Sequence, residues 1–464
     1  MSMGTLAMVA TKVGGQLIGA DQAFESVSTD TRSLSPGQLF FALRGERYNA
    51  TRFVAEAQSR GAVGAVVEQH CDCELPQVQV TNTRQALGAL ARSWRTGFKL
   101  PVVAITGSNG KTTVKEMIAA ILRAEHPGAE DSILATPGNL NNDIGLPLTV
   151  LELRVHHRAA VLEMGANHPG EIAALAKIAV PQIGVITNAA PAHLEGLGSI
   201  ADVAATKGEL LDELPQSGTA VLNRDDAFFD YWDERRQART RSTFGLASTA
   251  DYRAENIFDR IKAGEPSLEF TLHCPDGAID LHMAIAGRHN VINVLAAAAA
   301  AQSAGASMDA IADGLAAVVN VAGRLRPLQS GSGITIYDDS YNANPASVRA
   351  AIAFLAGVDA PRWLVLGDMG ELGETGPALH GEIGTAAREA GIDRLFCIGA
   401  LSRATAEAFG PAAEWHETLD DLWASLQQQL PPRLSILIKG SRFMGLDRLV
   451  ADVVAFGRQT EPEG

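Results

Sequence analysis

Lys111 and Thr112 are the residues of this chain best placed to do chemistry, because of what surrounds them. Val102-Val103-Ala104-Ile105 is an apolar, β-branched run, and Thr106, Gly107, Ser108, Asn109 and Gly110 form a small-residue turn. Lys111, Thr112 and Thr113 follow, and Val114 to Leu122 carries apolar residues at helical spacing. A strand, a glycine loop and a helix in that order make a phosphate cradle: amide N–H groups at the helix start point at the anion, and the helix dipole adds to the attraction. Lys111 would bridge outer phosphate oxygens, and Thr112 would offer its hydroxyl to Mg²⁺. The loop is a shortened variant, because Ile105 stands five positions before Gly110, where the usual pattern has a glycine. Only eight residues of the chain are lysines, against thirty arginines, so a lysine in such a loop draws weight for its amine.

Other candidates stand at the ends of expected strands. Glu163 ends Ala159 to Glu163 and is the carboxylate best placed to face Mg²⁺ across the loop. His193 follows the strand Ile183 to Asn188; read alone it is a loop histidine, since Mg²⁺ prefers oxygen ligands. Lys207 falls in an expected helix, where a lysine is by default a solvated cation; in an apolar or metal site its amine could react with CO₂ to give a carbamate ligand. Asn139, Asn141 and Asn142 in one loop, and Asp338, Asp339, Ser340, Tyr341, Asn342 and Asn344 in another, can bind a polar ligand or cap turns. Ser28-Thr29-Asp30-Thr31-Arg32-Ser33 reads from spacing alone as a polar turn. No Ser-His-Asp or Cys-His arrangement is evident, which argues against covalent acyl-enzyme chemistry.

The elements that would hold these loops divide into three units. Up to about Phe98, expected strands at Leu39–Leu43, Ala62–Val67 and Val78–Val80 and helices at Phe53–Arg60 and Thr83–Trp94 describe a small α/β domain. Beyond Lys99-Leu100-Pro101, strands alternate with helices as in a parallel sheet, followed by an antiparallel hairpin from Phe270 to Leu281 with Ala284 to Ala286 and an alanine-rich helix from Asn290 to Ala304. Near Gly323 the alternation restarts, with strands at Ile334–Asp339, Trp363–Asp368, Leu395–Gly399 and Ile436–Gly440. In open α/β sheets ligands gather at the carboxyl ends of strands, where the candidates lie. The 464 residues allow two to four domains, and 46% hydrophobic residues fill several cores. A net charge of −15 argues against nucleic acid or an anionic membrane as partner. Four scattered cysteines without C-x-x-C spacing fit a reducing cytosol and neither a disulfide framework nor a zinc site. Neither a signal peptide nor an apolar run of about 18 residues is present, so a cytoplasmic protein without a membrane span is expected.

TGSNGKTT, EMGANHPGEI, TNAAPAHLEGLGS, KGEL, GRHNVINVLAA, GRLRP, YDDSYNANP, GDMGELG and IKGSRFMGLD, in order over almost the whole chain, resemble the Mur ligases, the ATP-dependent amide-forming enzymes of bacterial peptidoglycan synthesis. STDTRSLSPGQLFFALRGER, TPGNLNNDIGLPLTVL, YDDSYNANP and GDMGELG resemble the branch of that family that adds a dipeptide. The resemblance implies an α/β protein of three domains: 1–98 binding a UDP-linked substrate, 99–323 a central P-loop ATPase-like parallel-sheet domain, and 324–464 a Rossmann-like domain that closes over the site. It implies ATP and two Mg²⁺ ions as cofactors, with UDP-N-acetylmuramoyl-tripeptide and D-alanyl-D-alanine as partners of a monomer.

On this chain the resemblance gives ATP to Gly107, Ser108, Asn109, Gly110, Lys111, Thr112 and Thr113, with Asn293 at the adenine, Arg324 at the phosphates and Asp339 at the ribose. It gives metal to Thr112, Glu163, His193 and a carbamylated Lys207, and counts Lys111, His193 and Lys207 as catalytic. Ser28, Thr29, Asp30 and Arg32 would contact the uridine diphosphate, Asn139, Asn141 and Asn142 the peptide, and Tyr341, Asn342 and Asn344 the dipeptide. One departure stands out: where relatives commonly carry Asp-Gly-His or Asp-Ala-His, this chain has Asn49-Ala50-Thr51. The implied reaction makes an acyl phosphate from the tripeptide carboxylate and ATP, which the dipeptide amine then attacks. The rivals are a folylpolyglutamate synthase, the ligase adding the third peptide residue, and a nucleotide-switch GTPase; Thr187-Asn188-Ala189-Ala190 lacks the Asn-Lys-x-Asp that the last requires.

Overall fold

The computed structural model describes residues 2–45, 49–192, 194–262 and 265–457. The expected ligand His193 and the last two residues of the quoted N-terminal motif, Glu46 and Arg47, lie outside the described residues.

The middle of the chain is built on a six-stranded, all-parallel sheet. Its order is Thr240–Phe244, Thr219–Asn223, Ile183–Ile186, Val102–Thr106, Ala159–Glu163 and Ile133–Ala135. Val102–Thr106 is buried along its whole length, as its unbroken apolar run requires of a strand covered on both faces. The chain leaves it towards Ile133–Ala135 on one side and later returns on the other with Ile183–Ile186. The strand order therefore reverses beside Val102–Thr106, which opens a crevice at its carboxyl end. Helix Lys111–Glu125 starts in that crevice and packs against His289–Ser303 and Met308–Ala316. The alanines of His289–Ser303 are buried in this contact, and Gly314 lets Met308–Ala316 approach closely: the backbone of Ile121 lies 2.4 Å from where a side chain on Gly314 would begin.

A five-stranded sheet precedes it, ordered Gln16–Ile18, Gln77–Gln79, Gly64–Val67, Gln38–Phe41 and Ser26–Ser28, and antiparallel only in its first pair. The C-terminal sheet has six strands, Arg326–Gln329, Thr335–Asp339, Ser435–Lys439, Arg362–Gly367, Arg394–Ile398 and Ala413–His416, again antiparallel only in the first pair. Its two cores take a single residue, Ala286, from the middle unit. The N-terminal unit is different: Leu87 and Leu90 of helix Thr83–Arg95 share one core with Leu146, Val150 and Leu175 of the middle unit.

Two local expectations need correction. The hairpin expected from Phe270 is a three-stranded antiparallel sheet of Arg253–Lys262, Glu265–Cys274 and Gly277–Met283, and Ala284 to Ala286 belongs to no strand. Arg253–Lys262 was hidden by its charges, of which Glu255, Asp259 and Arg260 are exposed on an edge strand. The first unit also contains a helix, Leu6–Val13, and short strands before Gln38–Phe41 that were not expected. Among the described residues no helix is long and apolar enough to cross a membrane.

Candidate functional site

The glycine loop is held from beneath by the strand end beside it. Ser108 N donates to Asn188 O at 3.0 Å, and Asn109 N donates to Asn188 Oδ1 at 2.9 Å. Thr187 Oγ1 and Asn188 Nδ2 both donate to Asn109 O, at 2.6 and 3.1 Å. Gly107 is glycine for two reasons: its φ is +146°, and a Cβ there would lie 1.9 Å from Thr187 Oγ1. Gly110, at φ +82°, precedes the helix without a side-chain cap, so the first amides of Lys111–Glu125 stay open to an anion. Half-buried Lys111 curls back onto Gly107 O at 2.6 Å and Ser108 O at 3.2 Å. Removal from water and the charge of Arg324 hold its amine below the ordinary lysine range, against the pull of Glu163.

Opposite the loop, Glu163 ends its strand only 3% exposed. Its Oε2 accepts from Thr112 Oγ1 at 2.9 Å and its Oε1 from Asn141 Nδ2 at 2.8 Å. Behind it, Glu163 N donates to Thr136 Oγ1, and the buried ammonium of Lys115 donates to Thr136 O at 2.6 Å. A hydroxyl and a carboxylate oxygen on neighbouring groups form a hard donor set that fits Mg²⁺ alongside phosphate oxygens.

Lys207 lies on helix Ile200–Asp212, 1% exposed. Burial, helped by the charge of Lys111, brings its pKa down to about 7, against the pull of Glu209 and Glu171. Thr112 and Glu163 are thus in contact; Lys207 is close enough to feel the charge of Lys111 but does not line the cleft.

The cleft is a cavity of about 900 Å³ between the middle and C-terminal sheets. Arg324 enters it from the C-terminal side and donates to Thr112 Oγ1 at 3.2 Å, its guanidinium lying 4.2 Å from the centre of the Tyr341 ring. Asn293 lines the cleft and donates to Asn290 Oδ1 at 2.8 Å. Asp339 stands in register with Lys439 on the adjacent strand, 2.7 Å from its ammonium, and Lys439 also donates to Asn342 O at 2.8 Å. Asn344 caps helix Pro345–Ala356, accepting from Ser347 N, and its Nδ2 donates to Asn109 Oδ1 at 2.7 Å. The C-terminal unit therefore touches the glycine loop directly.

The asparagines of the first loop divide their work. Asn139 lines the cleft, Asn141 orients Glu163, and Asn142 spends its carbonyl oxygen on Ile144 N and Gly145 N to start helix Gly145–Leu151. Ser28, Thr29, Asp30 and Arg32 do not line this cavity. Asp30 accepts from Arg32 N at 2.9 Å and pairs with its guanidinium at 2.6 Å, which pulls the carboxyl down to about 2, and Ser28 Oγ donates to Asp30 O. Asn49, in the departing string, accepts from Thr51 N and caps the turn Ala50–Phe53. Lys439 and Lys115 were missed as site residues, and Asn188 was noted only as a strand end. The scarcity of lysine was a signal for the first two, since each of them is buried.

Residues 105–301 match the model of the Mur ligase middle domain, and residues 323–442 that of the Mur ligase glutamate ligase domain. The chain is 42% identical over 452 residues to the UDP-N-acetylmuramoyl-tripeptide–D-alanyl-D-alanine ligase of Escherichia coli (strain K12), covering 96% of this chain and 97% of that one. It is 40% identical to the ligase of the same name from Haemophilus influenzae, over 94% of this chain and 95% of the relative. Among solved structures, MurF from Acinetobacter baumannii superposes with a TM-score of 0.90 at 34% identity, covering 98% and 99% of the two chains. MurF from Thermotoga maritima in complex with ADP gives 0.79 at 25% identity, over 92% and 96%.

Proposed function

The chain belongs to the Mur ligase family, and on that premise we propose that it joins D-alanyl-D-alanine to UDP-N-acetylmuramoyl-tripeptide with ATP, in peptidoglycan precursor synthesis. One observation carries the reading: the glycine loop, Glu163, Arg324 and the Tyr341–Asn344 loop converge on a single cleft between two units. We assign residues 1–98 to the UDP-linked substrate, 99–323 to ATP and 324–464 to closure over the site. Two of the substrates are soluble nucleotide derivatives and the third is a soluble dipeptide, which agrees with a cytoplasmic enzyme; the reading takes it as a monomer.

In this reading the tripeptide carboxylate attacks the γ-phosphorus of ATP, giving an acyl phosphate and ADP. The open amides of the loop and Lys111, released from Gly107 O and Ser108 O, spread the charge that develops on the phosphoryl oxygens. Mg²⁺ held by Thr112 and Glu163 would supply further neutralisation of phosphate charge. Arg324, already directed at Thr112 Oγ1, reaches the same oxygens. The dipeptide amine then attacks the acyl carbon, and phosphate leaves. The contact between Asn344 and Asn109 favours a closed cleft, which keeps water from the acyl phosphate. For a second ion the reading takes His193, Glu163 and Lys207, whose amine, with a pKa of about 7, can add CO₂ as a free base near neutral pH. Asn293 is assigned to adenine, Asp339 to ribose, and Ser28, Thr29, Asp30 and Arg32 to the uridine diphosphate. Asn139, Asn141 and Asn142 are assigned to the tripeptide, and Tyr341, Asn342 and Asn344 to the dipeptide.

The test supplies purified protein with ATP, UDP-N-acetylmuramoyl-tripeptide and D-alanyl-D-alanine and follows phosphate. Release should need all three and vanish in Lys111→Ala. Equal turnover with a single free amino acid in place of the dipeptide would overturn the assignment.

A further inference from the structure

The end of strand Ser435–Lys439 and the turn after it bring three residues to the Tyr341–Asn344 loop. Lys439 holds Asn342 O, Ser441 Oγ donates to Ala343 O at 3.4 Å, and Arg442 lies 5.9 Å from the centre of the Tyr341 ring. Ser441 is itself fixed, accepting from Gly370 N at 2.8 Å, so the position of Arg442 is set by the sheet end. Tyr341 thus has two guanidinium groups near it. Arg324 is 4.2 Å from the ring centre and bonded to Thr112 at the phosphate end. Arg442 is the more distant of the two, and its side chain is 62% exposed. Its ion-pair partner, Asp447, is 3.5 Å away and 59% exposed. Such a surface pair is weak and gives way readily to a better placed carboxylate.

We propose that Arg442 receives the carboxylate of the acceptor, so that Tyr341 and its two flanking cations select a dipeptide by length. The proposal rests on the reading that the acceptor is D-alanyl-D-alanine. Two residues span at most about 7 Å. The two guanidinium carbons, 4.2 and 5.9 Å from the ring centre, are at most about 10 Å apart, so in this proposal a dipeptide along the ring with its amine at Arg324 brings its carboxylate within reach of Arg442, and a single amino acid is shorter by about half the dipeptide's length. The charges agree at both ends. Arg442 pairs with the carboxylate through its planar fork, and Arg324, beside the amine, disfavours the ammonium and favours the free base that must attack.

The experiment compares D-alanyl-D-alanine with D-alanyl-D-alaninamide, which lacks the terminal charge, in wild type, Arg442→Ala and Arg442→Gln. Wild type should prefer the carboxylate about 10- to 100-fold in kcat/KM, the range expected for a charged hydrogen bond. In both variants that preference should collapse towards unity, through a higher KM for the dipeptide, while the KM values for ATP and the UDP-linked substrate stay put. A variant that keeps the full preference, or a wild type that shows none, overturns the proposal. A wild type that turns over neither acceptor instead sinks the ligase reading and the proposal with it. Arg442→Gln keeps the test decisive should the alanine variant fold poorly, and thermal unfolding checks both.

Discussion

The pair of Lys439 and Asp339 is the ion pair whose removal should be most costly. Its atoms are 2.7 Å apart and the two side chains are 3% and 11% exposed, so little water screens them. Burial pushes the Lys439 amine below its ordinary range and Asp339 pulls it back, which marks an ammonium that depends on its partner. Lys439→Met keeps the aliphatic stem but strands the Asp339 charge and leaves Asn342 O without its donor. Breaking a buried pair from one side costs about 3–5 kcal/mol. Asp339→Asn alone should cost a comparable amount, because it strands the ammonium. The double change removes both charges, so its cost should fall short of the sum of the singles by about 1–3 kcal/mol. Urea unfolding followed by circular dichroism at pH 7.5 measures all three. A cost below about 1 kcal/mol for Lys439→Met, or a double variant as unstable as the sum, would refute the reasoning.

Lys207, with a pKa of about 7 when folded and near 10.5 when free, leaves the unfolded chain holding more protons between those values. Its contribution to stability therefore rises with pH from about 7 to 10.5, and Lys207→Met should flatten that slope in denaturant titrations of the apo protein. If its carbamate matters to turnover, Lys207→Ala should be partly rescued by short carboxylates, and no rescue would leave a structural role alone. Gly107→Ala drives a methyl group to 1.9 Å from Thr187 Oγ1 at a positive φ. It should cost about 2 kcal/mol or more in stability and most of the turnover, and wild-type behaviour would contradict the loop geometry. Asn344→Ser keeps the helix cap but cannot reach Asn109, so it should lose turnover with less than about 0.5 kcal/mol of stability lost, while Asn344→Ala loses about 1 kcal/mol more. Equal turnover in Asn344→Ser and wild type would argue against the contact.

The parallel strands were legible because each is an apolar run bounded by polar or glycine-rich turns; Ala159–Glu163 was read with its final residue. Arg253–Lys262 was not, because an edge strand with one wet face mixes charges into its pattern. Strand ends pointed to Glu163, Asn188 and Asp339, since the carboxyl edge of a parallel sheet is where loops can hold a ligand. Side-chain partners are another matter. Asn142 and Asn344 are equally asparagines in polar loops, yet one starts a local helix and the other also reaches across to the glycine loop. Lys439 and Asp339 are 100 positions apart, and only the order of strands in the sheet brings them together.

The core shared by the first and middle units has a consequence for how this protein comes apart. Leu87, Leu90 and Ala91 interlock with Leu146, Val150 and Leu175. Nearby, the buried guanidinium of Arg95 bonds to Ala179 O and Leu100 O. Three sheet-bearing units therefore amount to two blocks that melt cooperatively, one running through both N-terminal sheets and one for the C-terminal sheet. A chain cut near residue 98 would expose an oily helix face and lose the counterpart it packs on. The first unit is consequently no portable module: grafting it elsewhere would require a new surface for Thr83–Arg95, whereas the C-terminal block, with its own two cores, can be exchanged at little apolar cost.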